Sequence, residues 1–403
     1  MKPQRSTAVV ICGLLFVFHS TFAQTWMTNS FPLSARSVAS SADGCNLVLA
    51  AGDGGVFTST NSGATWTQSL GGAGIANAYV VASSADGTIL FADDFNVSTN
   101  SGTTWNFIPS GITANGVAVV FEFIACSADG SRLLVAGGTS IHVSYPYLNL
   151  LSSPLYTSPD SGMTWVSNNA PVASWQAAAA SADGTKLVAV INGGGIYTST
   201  NFGITWVSNN VPNEAWTSVA CSADGGKVVA TSVGGGIFNS VDSGQTWAPN
   251  AWISNNLPNS AWISVASSAD GNKLVATTTG NIYSSTNSGN SWTLDNAPVK
   301  GWGWVASSAD GNKYVTITPG GNRNVWTLQI SPAPQMIIAP TNSSLALSWI
   351  IPSTNFVLQQ NLDLTTENWT DVTNTPVLNL TKLQDEVTLP VTNGSSFYRL
   401  VAH

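Results

Sequence analysis

The sequence predicts an all-β chain whose first 330 residues form a seven-bladed β-propeller, and two repeated motifs carry that expectation. The tetrapeptide Ser-Ala-Asp-Gly recurs with its aspartates at Asp43, Asp86, Asp129, Asp183, Asp224, Asp270 and Asp310, spaced 43, 43, 54, 41, 46 and 40 residues apart. That period suits a four-stranded blade and is too long for one turn of a β-helix. A second pattern, Ser-x-Asp/Asn-x-Gly-x-Thr/Ser-Trp, follows six of the seven tetrapeptides and ends at Trp66, Trp105, Trp165, Trp206, Trp247 and Trp292.

From the amino end, residues 1–23 carry Lys2 and Arg5, an apolar run from Ala8 to Phe18, and Thr21-Phe22-Ala23. This is the layout of a secretory signal peptide cleaved before Gln24, with an apolar run too short to span a bilayer. The expected mature chain is exported, has no transmembrane segment and is a monomer.

Within one repeat, Asp-Gly supplies a tight hairpin turn, because aspartate bonds to its own downstream backbone and glycine accepts positive φ. A glycine-rich second turn follows, as in Gly234-Gly235-Gly236. In the third turn the Asn or Asp side chain (Asn61, Asn100, Asp160, Asn201, Asp242, Asn287) accepts turn amides, glycine takes the positive-φ place and tryptophan packs between blades. Asn in four of the six turns is expected to loosen them. The seventh unit has no such turn, but Gln24-Thr25-Trp26 matches Gln245-Thr246-Trp247, so the amino-terminal segment is expected to complete the last blade and cover two sheet edges. The domain boundaries read from this are 24–330 for the propeller, 331–335 for a Pro-containing linker and 336–403 for a small C-terminal β-sandwich. The last rests on alternating segments such as Leu345-Ala346-Leu347-Ser348-Trp349 and Ser396-Phe397-Tyr398-Arg399-Leu400.

The third-turn pattern resembles the Asp-box of BNR repeats, found in sialidases, sortilin-type receptors and Ycf48-like photosystem II assembly factors. The resemblance implies a propeller fold and a ligand face on the side away from the box turns. Ligand residues are then expected just before each first strand or in the second turn.

Eight residues before the repeat aspartates stand Ala35, Ala78, Phe121, Trp175, Trp216, Trp262 and Trp302. The five aromatics from consecutive blades are read either as an arc able to stack on sugar rings, with Asn168-Asn169, Asn209-Asn210 and Asn255-Asn256 as hydrogen-bonding neighbours, or as a repeated packing residue. The third repeat is longer and carries His142, Tyr145 and Tyr147 in its second turn, an irregularity of the kind that places sites on rigid scaffolds.

Catalysis is not expected. The resemblance implies that a sialidase would need an arginine triad, a Tyr–Glu pair and an acid/base Asp. Only Arg36, Arg132 and Arg323 fall in the propeller: Arg36 and Arg323, from neighbouring blades on the ligand face, are candidate binding residues but do not make the triad, Arg132 is on the wrong face, and the family's Arg-Ile-Pro signature is absent. Asp53, Asp93, Asp94, Glu122 and Glu214 are acids placed to reach the ligand face, and no two stand out as the facing pair that a glycosidase requires. No His/Cys pattern suggests a metal and no motif suggests a cofactor.

Only 8% of residues are charged, and loss of Lys2 and Arg5 would leave ten basic groups against twenty acidic ones, which excludes nucleic acid as a partner. Cys45, Cys126 and Cys221 read as unpaired structural thiols. The expected function is a non-catalytic binding or scaffold protein for a glycan or an extracellular protein. The alternatives are a sialidase-like hydrolase and an assembly factor for a protein client.

Overall fold

In the computed structural model, the described residues begin at Thr25 and exclude 31–33, 53, 72–77, 93–95, 115–116, 119, 139–151, 248–260, 296, 298–300, 319–323, 330–335, 341–343, 351–355, 363–367, 380, 383, 391–395 and 403. The expected signal segment, the linker, Asp53, Asp93, Asp94, His142, Tyr145, Tyr147 and Arg323 therefore lie outside the described residues.

Each repeat folds as an antiparallel sheet in sequence order. In the first, Ala35–Ser40, Leu47–Ala51, Gly55–Ser59 and Thr67–Leu70 pair successively, and the second, third and sixth repeats each form a like sheet of four. The second strands are buried along their length, as in the apolar run Leu47–Ala51 and in Val228–Ser232, where Thr231 and Ser232 are buried with the apolar residues. Both faces of each sheet are covered by neighbouring sheets, so the half-polar alternation of a solvated sheet is absent. In the fourth repeat Leu187–Gly194 runs on past its own sheet to pair with Glu214–Cys221 of the fifth.

The Asp-Gly turns tie the sheets into a ring. Ser41 Oγ donates to Asp43 Oδ1 at 2.5 Å and accepts the amide of Asn46 at 3.0 Å, while the Cys45 amide donates to Asp43 Oδ1 at 2.9 Å. Between these residues, the amide of Ala42 donates to Ala85 O, Ala85 to Ala128, Ala128 to Ala182, Ala182 to Ala223, Ala223 to Ala269, Ala269 to Ala309, and Ala309 back to Ala42, each at 2.7–2.8 Å. The circuit closes on itself. Around it, the methylene stems of Lys186, Lys227, Lys273 and Lys313 lie on Gly225, Gly271, Gly311 and Gly44 of the next turn. Each basic side chain thus covers its neighbour's turn.

The last sheet is completed by Thr25–Ser30, which pairs antiparallel with Asn324–Gln329 over six residues. Beyond it, Met336–Pro340, Ser344–Ile350, Gln384–Pro390 and Val377–Asn379 form one sheet, and Thr370–Asp371, Phe356–Asn361 and Phe397–Ala402 another. Leu347, Trp349, Val387 and Leu389 of the first share an apolar cluster with Leu358 of the second. No helix among the described residues is long and apolar enough to cross a membrane.

Among the described residues, Cys45, Cys126 and Cys221 form no disulfide. Burial, aided by the nearby charges of Asp129 and Asp224, pushes the thiols of Cys126 and Cys221 up to about 12. Neither thiol is expected to react with a thiol reagent at pH 8 until the chain is denatured, because the thiolate is the reactive form. Rapid labelling of either in the native protein would contradict this placement.

Candidate functional site

The box turns are built as their composition requires. In the first, Ser59 Oγ donates to Asn61 Oδ1 at 3.0 Å and accepts the Gly63 amide at 2.9 Å, and the Thr65 amide donates to Asn61 Oδ1 at 2.9 Å. Asn in place of Asp does not loosen the turn, contrary to the sequence expectation. Asn61 Nδ2 donates to Thr65 Oγ1 at 2.9 Å, whereas in the Asp160 turn Thr164 Oγ1 donates to Asp160 Oδ2 at 2.7 Å. The hydroxyl simply reverses its role. Asn100, Asn201 and Asn287 repeat the Asn arrangement, and Asp242 repeats that of Asp160. Burial opposes ionisation of Asp160, but the bonds from Thr164 and Ser158 outweigh it and hold the carboxyl below its ordinary range.

The box tryptophans pack between sheets. Trp105 Nε1 donates to Ser69 Oγ of the preceding sheet at 2.7 Å, Trp165 to Gly162 O at 2.9 Å and Trp247 to Gly244 O at 3.0 Å. Trp66 packs in the cluster joining the first and last sheets, Trp206 with Trp175, and Trp292 with the sixth sheet's cluster.

The aromatic arc is placed under the surface rather than on it. Phe121, Trp175 and Trp216 are 1% exposed, and Trp262 and Trp302 are 0% exposed. Each ring is taken up by another aromatic: Phe121 by Trp165, Trp175 by Tyr197, Trp216 by Phe238 at 4.8 Å, Trp262 by Tyr283 and Trp302 by Trp326. Stacking on a sugar needs an open ring face. The stacking expectation is therefore corrected: these five residues are packing residues, like the buried Ala35 and Ala78 at the same repeat position.

The residue that follows the buried one is the informative position. Antiparallel register slips there, between Ala35 and Ser37, Phe121 and Phe123, Trp175 and Ala177, Trp216 and Ser218, and Trp262 and Ser264. A bulge leaves one residue out of the ladder and re-aims its side chain. The slip brackets Arg36, Glu122, Gln176, Thr217 and Ile263, and the same repeat position holds Tyr79 and Gly303 in the other two copies. The six side chains are half-buried. They stand at the end of the ring opposite the Asp-Gly turns, and every copy is different.

On the first two sheets the geometry is tight. The Arg36 guanidinium lies over the Tyr79 ring, 4.7 Å from its centroid. Its stem end rests on Gly52 in the second turn, where a Cβ would come within 2.2 Å of Arg36 Nε. That nitrogen is buried without a hydrogen-bond partner. On the third sheet, burial pushes the Glu122 carboxyl up to about 7. On the fifth, Thr217 Oγ1 donates to Thr231 O at 3.1 Å, and Glu214 lies over Gly235. Arg132 is on the Asp-Gly side as expected, donating to Asp183 O at 3.0 Å and lying over Phe202.

Sequence reasoning named Arg36, Glu122 and Glu214 but missed Tyr79, and it looked one residue too early. The signal was available in the repeat itself: seven places before each aspartate the copies disagree, while the flanking positions hold small or apolar residues.

A ring of four-stranded antiparallel sheets, closed by pairing the first strand with the last, makes this chain a β-propeller. Among solved structures it is similar to one described as YCF48 bound to D1 peptide, with a TM-score of 0.57 and 15% identity over 76% of this chain and 97% of that one. It is also similar to YCF48 from Cyanidioschyzon merolae, with a TM-score of 0.55 and 14% identity over 75% of this chain and 98% of that one. At such identities the likeness is one of fold. No family model and no curated protein matches the sequence.

Proposed function

We propose that the chain is an exported, non-catalytic binding protein: a seven-bladed Asp-box propeller with a C-terminal β-sandwich, reading a segment of an extracellular protein client at the end of the ring where the bulges lie. The observation that carries this reading is the bulge position. A fold that repeats its turns and packing residues, yet changes the same half-buried side chain from Arg36 through Tyr79, Glu122, Gln176 and Thr217 to Ile263 and drops it at Gly303, has its variation where a ligand would be discriminated. The export signal at 1–23, a monomeric state, and Arg323, Tyr145 and Tyr147 as further contributors to the same face belong to this reading.

A protein client is favoured over a glycan because the rings that would have stacked on sugars are already occupied by neighbouring aromatics. A structural neighbour described as bound to a peptide makes a protein partner reasonable for this architecture without assigning one. The test is a peptide array probed with the wild-type chain and with Arg36→Gln, Tyr79→Ala and Glu122→Gln. Reproducible spots that weaken at least about tenfold in these variants, and not in Asn61→Ala on the opposite face, are expected. Spots indifferent to all three mouth variants would refute the site.

A further inference from the structure

The residue three places after a box tryptophan sits where one sheet faces the next. It is Ser69 in the first repeat, Asn168 in the third, Asn209 in the fourth and Asp295 in the sixth. Ser69 Oγ accepts the indole N–H of Trp105 from the following sheet at 2.7 Å. Asn168 and Asn209 accept hydroxyls from Thr157 and Thr198 of their own sheets, and Asp295 likewise accepts Ser284 Oγ at 2.6 Å. Asp295 thus brings an ionisable group to a position that two other repeats fill with a neutral amide.

Asp295 is 7% exposed, and its second oxygen, Oδ2, is buried with no hydrogen-bond partner. Its amide bonds Ile282 O, at the edge of the apolar cluster that joins the sixth sheet to the last through Trp302, Tyr314, Trp326 and Leu328. Tyr314 pairs with Leu328, and Leu328 pairs with Trp26, so one cross-strand row runs from the neighbour of Asp295 to the strand that closes the ring. Trp26 packs on Trp302 with centroids 5.9 Å apart, and its Nε1 is also buried without a partner. By the repeat, Trp26 stands to Asp295 as Trp105 stands to Ser69.

We propose that Asp295 makes closure of the ring proton-dependent: its neutral carboxyl is accommodated beside the row that ends in Trp26, and its ionised form loosens Thr25–Ser30 from Asn324–Gln329. Removal from water is what disfavours the ionised form, and the Ser284 hydroxyl offsets it only in part, leaving the carboxyl at about 6. Among the described residues, the titratable group facing it from the last sheet is Tyr314, itself pushed up by burial first and then by the charges of Asp295 and Asp310. Trp26, Trp326 and Leu328, from the other strands of that sheet, bring no charge. Tyr283, on the strand of Ser284, packs into the cluster on the other side of its sheet.

For an acid whose pKa is raised by folding, the folded state holds the extra proton. Its contribution is therefore fully favourable below about pH 4 and is lost as pH rises through about 6. The interval from an ordinary aspartate to about 6 bounds the change in the closing equilibrium, over the whole pH range, at about 100-fold.

The experiment is amide hydrogen exchange on the full chain at pH 5 and pH 8, corrected for intrinsic rates, for the wild type and Asp295→Asn. Protection of residues 25–30 in the wild type is expected to fall about 10-fold at the higher pH, the part of the change that lies between pH 5 and pH 8, while the second and third sheets hold, and in Asp295→Asn the fall should vanish. Equal protection of residues 25–30 at both pH values, or a fall that persists in Asp295→Asn, would overturn the proposal. Should Asp295→Asn fail to fold, Asp295→Ser serves in its place. If neither folds, a wild-type loss of protection spread evenly over all sheets overturns the proposal, and one confined to residues 25–30 and 324–329 upholds it.

Discussion

Replacing Trp262 by alanine is expected to lower the unfolding free energy by about 3–5 kcal/mol, the cost of emptying a fully buried aromatic site. The ring has no exposed surface, is tilted against Tyr283 at 5.3 Å, and shares its cluster with Val229 and Ile237 of the fifth sheet and Leu274 and Ala276 of its own. Those aliphatic groups belong to strands pinned by their ladders, so the cavity cannot collapse without disturbing two sheets. Trp216→Ala should cost at least as much, because it also strands the carbonyl of Gly194, which accepts the Trp216 indole N–H at 2.8 Å. Chemical denaturation of the two variants measures both values. A loss below about 1 kcal/mol would mean that these rings are not the packing residues described above and would reopen a ligand role for them.

Gly311→Ala is expected to cost about 2–4 kcal/mol, through two additive effects. Gly311 has φ +63°, a left-handed conformation that an L side chain adopts at a penalty, and an added Cβ would lie 2.7 Å from Lys273 Cβ. The lysine stem has little room to retreat, since its Nζ donates to Asp310 O at 2.9 Å. Gly111 supplies the control. Its φ is +65°, yet nothing lies within 4 Å of an added Cβ, so Gly111→Ala should show the conformational penalty alone, about 1–2 kcal/mol. Thermal or denaturant unfolding of the pair separates strain from contact, and equal losses would mean that the lysine stems do not hold neighbouring turns together.

Most of the architecture was legible because the motifs that repeat are those that make the turns. Asp-Gly and the Ser-x-Asp/Asn-x-Gly turn specify backbone bonds between residues close in sequence, and their spacing sets the strands between them. The match of Gln24-Thr25-Trp26 to Gln245-Thr246-Trp247 anticipated the pairing of Thr25–Ser30 with Asn324–Gln329. Two things were not legible. That the aromatic at the start of a first strand is buried rests on rings brought from other strands, Phe238 on Trp216 and Tyr283 on Trp262, and leaves no mark in the spacing. The orphaned oxygen of Asp295 depends on a neighbour some twenty residues away, Tyr314, and on a strand from the other end of the chain. Asn201 and Asp242 show the converse: Asn and Asp looked chemically different in sequence, yet the turn makes them equivalent by reversing one hydroxyl.

The most direct test of the binding account is to expose the purified chain both to a peptide library and to a panel of polysaccharides and sialylated glycans, scoring retention and released sugar in parallel. The account expects retention of peptides that is lost in Arg36→Gln and Glu122→Gln, with no sugar released. Release of sugar by the wild-type chain, abolished in Glu122→Gln, would contradict it and make the bulge position a catalytic one.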